Sequence, residues 1–211
     1  MATLEDILKS ANSYLDLEYA TPTGTELTTR TDFANQAVMD AAALYRFDEF
    51  NDRYVIGHTC ASVTLPSSFR ELIAVPTEDL GNGSSREFPA IRWSELSEKN
   101  SSDYYCYLQG NPSSGFTLVF NGLTTQTTLT ILFQRYPSGM ATLTDICELP
   151  DPEYVRAKVV SYVLQSRSDA RFPQAEADAQ RRLSNMIGRQ MIQAKGGTNR
   201  TPSNMSYVIG E

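Results

Sequence analysis

Hydrophobic positions along this chain follow a helical period at both ends and a two-residue period in the middle. Leu4, Ile7, Leu8, Ala11, Tyr14, Leu15 and Tyr19 share one helical face, and Thr3 with Asp6 three residues later makes a short-armed capping box. A first helix is therefore expected to start at Thr3. Ala20 to Thr29, with Pro22 and Gly24, reads as a loop. A second helix is expected from Thr31, as N-cap, to about Arg46. Its stripe of Phe33, Ala34, Ala37, Val38, Ala41, Ala42 and Tyr45 is rich in small residues that allow close helix packing.

From about residue 53 the period changes. Arg53–Ile56, Ser62–Leu65 and Phe69–Val75 read as strands, with Pro66 ending the second. Asp79–Ser85 is turn-rich and reads as a hairpin or loop tip. Ile91–Asn100 is ambiguous, with Ser94 able to cap one helical turn. Tyr104–Gln109, Phe116–Phe120 and Thr127–Gln134 carry the aromatic, β-branched and threonine residues of half-buried antiparallel strands. Helices return with Asp151-Pro152-Glu153, a cap followed by proline at the first helical position. Tyr154, Val155, Lys158, Val159, Tyr162 and Val163 carry that pattern to about Ser168. A further helix is expected from Pro173 to Ala194, with Leu183, Met186, Ile187 and Met191 as its later apolar face.

The expected class is α+β: a helical bundle from the N- and C-terminal helix pairs, with an inserted antiparallel β-sandwich-like lobe. Residues 1–50 and 150–195 would form the bundle, 51–149 the lobe, and 196–211 an extended C-terminal arm.

Composition adds exclusions. The early residues carry acids and no basic block before an apolar one, so no signal peptide is expected and the chain is expected to fold in a cytosol. No stretch approaches the length of a membrane span. Cys60, Cys106 and Cys147 are odd in number and widely spaced, which suits reduced core thiols. His58 is the only histidine, so a Ser-His-Asp or Cys-His site would have to use it, and nothing completes a metal site with Cys60. Asp48 with Glu49 and Glu78 with Asp79 read as solvated pairs. Leu80–Ser85 lacks the lysine of a phosphate-binding loop. Tyr104, Tyr105 and Tyr107 with Trp93 could form a stacking face, but are read as core, with Tyr105 and Tyr107 on one side of a strand and Tyr104 on the other. No catalytic residue, cofactor or metal is expected.

The net charge of −7 is unevenly spread: residues 1–150 carry 9 Lys and Arg against 19 Asp and Glu, and residues 151–211 carry 9 against 6. The basic cluster is Arg156, Lys158, Arg167, Arg171, Arg181, Arg182, Arg189, Lys195 and Arg200. It is either a solvated helix face or a docking face for an acidic protein surface. The acidic remainder disfavours tight DNA binding.

In order along the chain, Thr64–Val75 (TLPSSFRELIAV), Tyr104–Asn111, Phe116–Phe120, Thr128–Pro137 and Leu143–Pro150 leading into Tyr154–Ala170 resemble the head-to-tail adaptor (connector) proteins of tailed bacteriophages. That resemblance implies a ring of subunits, commonly twelve. One face would dock on the portal protein and the other would receive the tail or the next neck protein, around a channel that DNA passes without specific binding. Position and charge then make Arg181, Arg182, Arg189, Lys195, Arg200, Tyr207, Val208 and Ile209 the candidate portal-docking residues. The alternative is a β-sandwich binding module of a phage tail, for carbohydrate or protein, which would show an exposed aromatic row.

Overall fold

The computed structural model describes residues 2–58, 61–81, 83–123 and 127–196. They fall into two compact units. One is built from Met1–Ala34 with the described residues from Pro150 on, the other from Asn35–Leu149.

The first unit is helical. Helix α1 spans Leu4–Tyr14, and the box at its start is formed: Asp6 N–H donates to the Thr3 hydroxyl at 3.2 Å, and Thr3 N–H donates to the Asp6 carboxylate at 3.1 Å. Leu4, Ile7, Leu8, Ala11 and Leu15 are buried as expected, but Tyr14 and Tyr19 are exposed. The buried place near the end of the helix goes to Asn12, which donates to Ala20 O at 2.6 Å and ties down the following turn.

Helix α2 spans Gly24–Leu44, so the expected loop at 20–29 ends early and the helix begins seven residues before Thr31. The cause is tertiary. Gly24 enters at a φ of +58°, and the added first turn carries Glu26, which bonds Arg30 and lies 3.6 Å from Arg167. Helix α3 spans Pro152–Ser166, with Asp151 accepting from Glu153 N–H at 3.1 Å, and helix α4 spans Phe172–Gly196. Within this unit α3 packs on α1 and α4, and the rings of Phe33 and Tyr162 meet at 5.4 Å.

The second unit holds the rest of α2 and two antiparallel sheets. Strands β1 (Asn51–His58), β3 (Phe69–Leu72), β4 (Thr77–Asp79), β5 (Ser85–Glu87) and β8 (Thr127–Arg135) form one. There β8 is central, with β1 along one side and β3 and β4 along the other, and β5 extends β4. Strands β2 (Ser62–Thr64), β6 (Tyr105–Asn111) and β7 (Gly115–Asn121) form the other in the order β2-β7-β6. Alternate residues of both sheets meet in one core: Val63, Phe69, Phe88, Cys106, Leu118, Phe120, Leu129, Ile131 and Phe133. The α+β class, with terminal helices flanking antiparallel β structure, is therefore present.

Three expectations change in this unit. The Asp79–Ser85 hairpin is present, and the strands that flank it, β4 and β5, are too polar to show a strand's alternation. Glu78 is not solvated: it is fully buried, 3.3 Å from Arg86 on the neighbouring strand. Tyr105 and Tyr107 are not core either. Cys106 and Leu108 take the inward positions of β6, while Tyr107 stands on the outer face with Trp93 edge-on at 5.3 Å. Trp93 itself opens a short 3-10 helix at Trp93–Glu98, in the stretch that was ambiguous. Cys106 and Cys147 are buried reduced thiols, and burial pushes the Cys106 thiol up to about 12. Cys60 lies outside the described residues.

The β6–β7 hairpin turns on Gly110, whose φ is +112° and where an added Cβ would stand 2.1 Å from Gly115 O. Gly115 has a φ of +84° but open space beside it. Gly110→Ala is therefore expected to cost about 3 kcal/mol in chemical denaturation, and Gly115→Ala only about 1 kcal/mol.

Candidate docking surface

Helix α3 sets the chemistry of the helical unit. Every residue from Tyr154 to Ser161 is buried, as are Val163 and Leu164, so the helix is enclosed on nearly all sides. Two of those residues, Arg156 and Lys158, are cations that need partners to be buried. Lys158 Nζ donates to Glu176 at 2.6 Å, and Glu176 also accepts from the Ser161 hydroxyl at 2.6 Å and from Gln180 at 2.9 Å. Arg156 lies 2.6 Å from Glu153, and its guanidinium sits 4.1 Å from the centre of the Tyr14 ring. Its Nε has no acceptor among the described residues.

Beside Arg156 an open groove of about 680 Å³ runs between α3 and α4, with Tyr14 at one rim. Ala157, Val160 and Leu164 give it an apolar floor. Arg156, Arg171, Arg181 and Arg182 stand around it with one carboxylate, Asp178. Asp178 is shared: Arg182 Nε donates to it at 3.0 Å, and Arg181 bonds its other oxygen. Arg171 is held 2.5 Å from Asp16 and 3.0 Å from Asp169.

The basic cluster of the sequence is thus largely paired, and by acids outside its own span as well as within it: Asp16, Glu26 and Glu153 join Asp169, Glu176 and Asp178. Of the candidate docking residues, Arg181 and Arg182 meet at the groove. Arg189 is exposed farther along α4 and has no ion pair among the described residues, and Lys195 lies in the last turn of that helix. Arg200, Tyr207, Val208 and Ile209 lie outside the described residues.

The structure adds two residues to this surface. Of the expected apolar face of α4, Leu183 and Met186 are buried, but Met191 is 50% exposed, and its neighbour Ile192 is 72% exposed. An exposed aliphatic pair beside an arginine at a helix end is a feature of contact surfaces. Arg181, Gly188 and Ile192 share one face of α4 at spacings of seven and four, so the groove and the apolar tip lie along one stripe.

His58 is in β1 opposite Thr127. Asp48 and Glu49 are exposed in a short 3-10 turn. Among the described residues no three His, Cys, Asp or Glu side chains gather as a metal site, and no helix is long and apolar enough to cross a membrane.

The model of a protein family described as SU10 adaptor protein matches residues 2–206. No curated protein matches the chain.

Burial alone would hinder ionisation of Glu176, but the hydrogen bonds from Lys158, Ser161 and Gln180 outweigh it and hold its carboxyl below the usual 4.5. Asp178 is held low in the same way, burial being outweighed by Arg182 and Arg181. A carboxyl lowered by folding stabilises the fold above its unfolded value, and that contribution is lost as pH falls through the folded value. Stability should therefore fall below about pH 5. Glu176→Gln should flatten that acid limb and cost about 2 kcal/mol at neutral pH, measured by urea denaturation across pH.

Proposed function

The chain belongs to the SU10 adaptor protein family, and from that premise we propose that it is a neck-ring subunit joining the portal of a phage head to its tail. Family membership makes it a structural adaptor, a virion component that acts through other phage proteins. The finer reading is ours: copies assemble into a ring, of twelve as connectors of this kind commonly do, around a channel that DNA traverses without specific binding.

Portal docking is assigned to the far end of α4. The observation that carries it is the exposed pair Met191 and Ile192 beside Arg189, which has no ion pair among the described residues, on the helix that leads into Lys195 and the C-terminal segment holding Arg200, Tyr207, Val208 and Ile209. Apolar side chains supply contact area there, and the cations choose an acidic seat. The net charge of −7 supports a DNA path that does not adhere. No turnover, metal or cofactor is part of this reading.

A second reading, a tail binding module for carbohydrate or protein, draws on the exposed Trp93 beside Tyr107. Trp93 is the only tryptophan, so fluorescence tests it directly: a shift on adding glycan would favour this reading, and an unchanged spectrum would disfavour it.

Light scattering of the purified protein with its portal protein should give a stoichiometric ring complex. Met191→Asp with Ile192→Asp, or removal of Gly196–Glu211, should weaken that complex by about a hundredfold while leaving the melting temperature within a few degrees. A chain that ignores the portal at every salt concentration would contradict the reading.

A further inference from the structure

We propose that the groove between α3 and α4 takes an acidic peptide segment of a neighbouring protein, in which Asp or Glu residues flank a leucine-sized apolar side chain. This deepens the adaptor reading and rests on it, adding a second contact to the one at the α4 tip.

The floor and rim ask for different chemistry. Ala157, Val160 and Leu164 offer an apolar seat large enough for an aliphatic side chain, and a phosphate backbone would leave that seat unused. The rim offers four guanidinium groups and a single carboxylate. Arginine forks match carboxylates in two-point bonds. The existing pairs do not block them. The Arg181 side chain is 72% exposed and shares Asp178 with Arg182, while Arg171 and Asp16 are both exposed. Such surface pairs contribute about 0–1 kcal/mol each, so an incoming carboxylate exchanges with them at little cost.

Arg156 supplies the independent observation. It is only 6% exposed, it lines the groove, and its Nε lacks an acceptor among the described residues. Its guanidinium carbon lies 4.1 Å from the centre of the Tyr14 ring, itself 58% exposed at the helix end. A carboxylate entering beside Tyr14 would therefore come up against a buried guanidinium that still has a donor to give.

Charge also separates a peptide from a nucleic acid. Asp16, Glu153, Asp169 and Asp178 neutralise the groove at a distance, and the chain as a whole carries −7. Long-range attraction of a polyanion is therefore weak, whereas short-range pairing with one or two carboxylates remains available. The stripe from Arg181 through Gly188 to Ile192 lets a bound segment run on toward the α4 tip.

The test uses the full chain and a fluorescein-labelled Glu-Asp-Leu-Glu-Asp-Leu peptide, with a Gln-Asn-Leu-Gln-Asn-Leu peptide and a Glu-Asp-Ser-Glu-Asp-Ser peptide as comparisons, read by anisotropy. The acidic leucine peptide should bind about tenfold tighter than either. Two variants at exposed helix positions, Arg181→Glu and Ala177→Glu, should keep the melting temperature and weaken binding at least about fivefold, the first by reversing a rim charge and the second by placing a carboxylate in the groove. Equal binding of the three peptides, no binding at millimolar concentration, indifference to both variants, or displacement of the peptide by duplex DNA with a steep salt dependence would each overturn the proposal. If the portal complex survives while the peptide result fails, the groove assignment falls and the adaptor reading stands.

Discussion

Helix α3 is enclosed on nearly every side and still carries two cations, and this constraint organises the helical unit. A buried ammonium or guanidinium is tolerable only with partners in place. Lys158 finds them in Glu176, which reaches across from α4 and is itself steadied by Ser161 and Gln180. Arg156 finds Glu153 one turn away and the face of Tyr14 from α1. These contacts fix how α1 and α4 lie against α3, and that placement opens the groove beside Arg156. Pairing extends to the surface of the segment as well, where Asp16 and Arg171 meet although 155 residues apart.

The β unit shows a similar economy around its central strand. Leu129, Ile131 and Phe133 of β8 point into the core shared with the three-stranded sheet, while its backbone is paired on both sides. Among the described residues of this unit one carboxylate is buried, Glu78, and Arg86 stands beside it on the adjacent strand and over the Tyr104 ring at 4.3 Å. A polar hairpin can therefore join the sheet without leaving a lone charge inside.

What could be read from the sequence was what neighbours within a few residues determine. Thr3 with Asp6 and Asp151 with Pro152 mark helix starts because their hydrogen bonds close locally, and the strands with clear alternation, β7 and β8, kept their expected limits to within a residue. The features that escaped depend on distant partners. The early start of α2 is supported by Glu26 meeting Arg167, the strand nature of Thr77–Asp79 depends on β8, and the outward facing of Tyr105 and Tyr107 depends on which side of β6 the other sheet covers. Arg181 and Arg182 were identifiable as surface cations, but the apolar floor between them and Arg156 requires α3 and α4 to be placed. Ile192 carried a faint signal: it falls one residue off the apolar stripe of α4, where an aliphatic side chain points to solvent.

The most direct check on the central claim is an image reconstruction of the neck in the intact phage particle. The account predicts density for this chain in a closed ring directly between portal and tail, with the end of α4 against the portal. Density for the chain at the tail tip, or particles that lack it, would contradict the account.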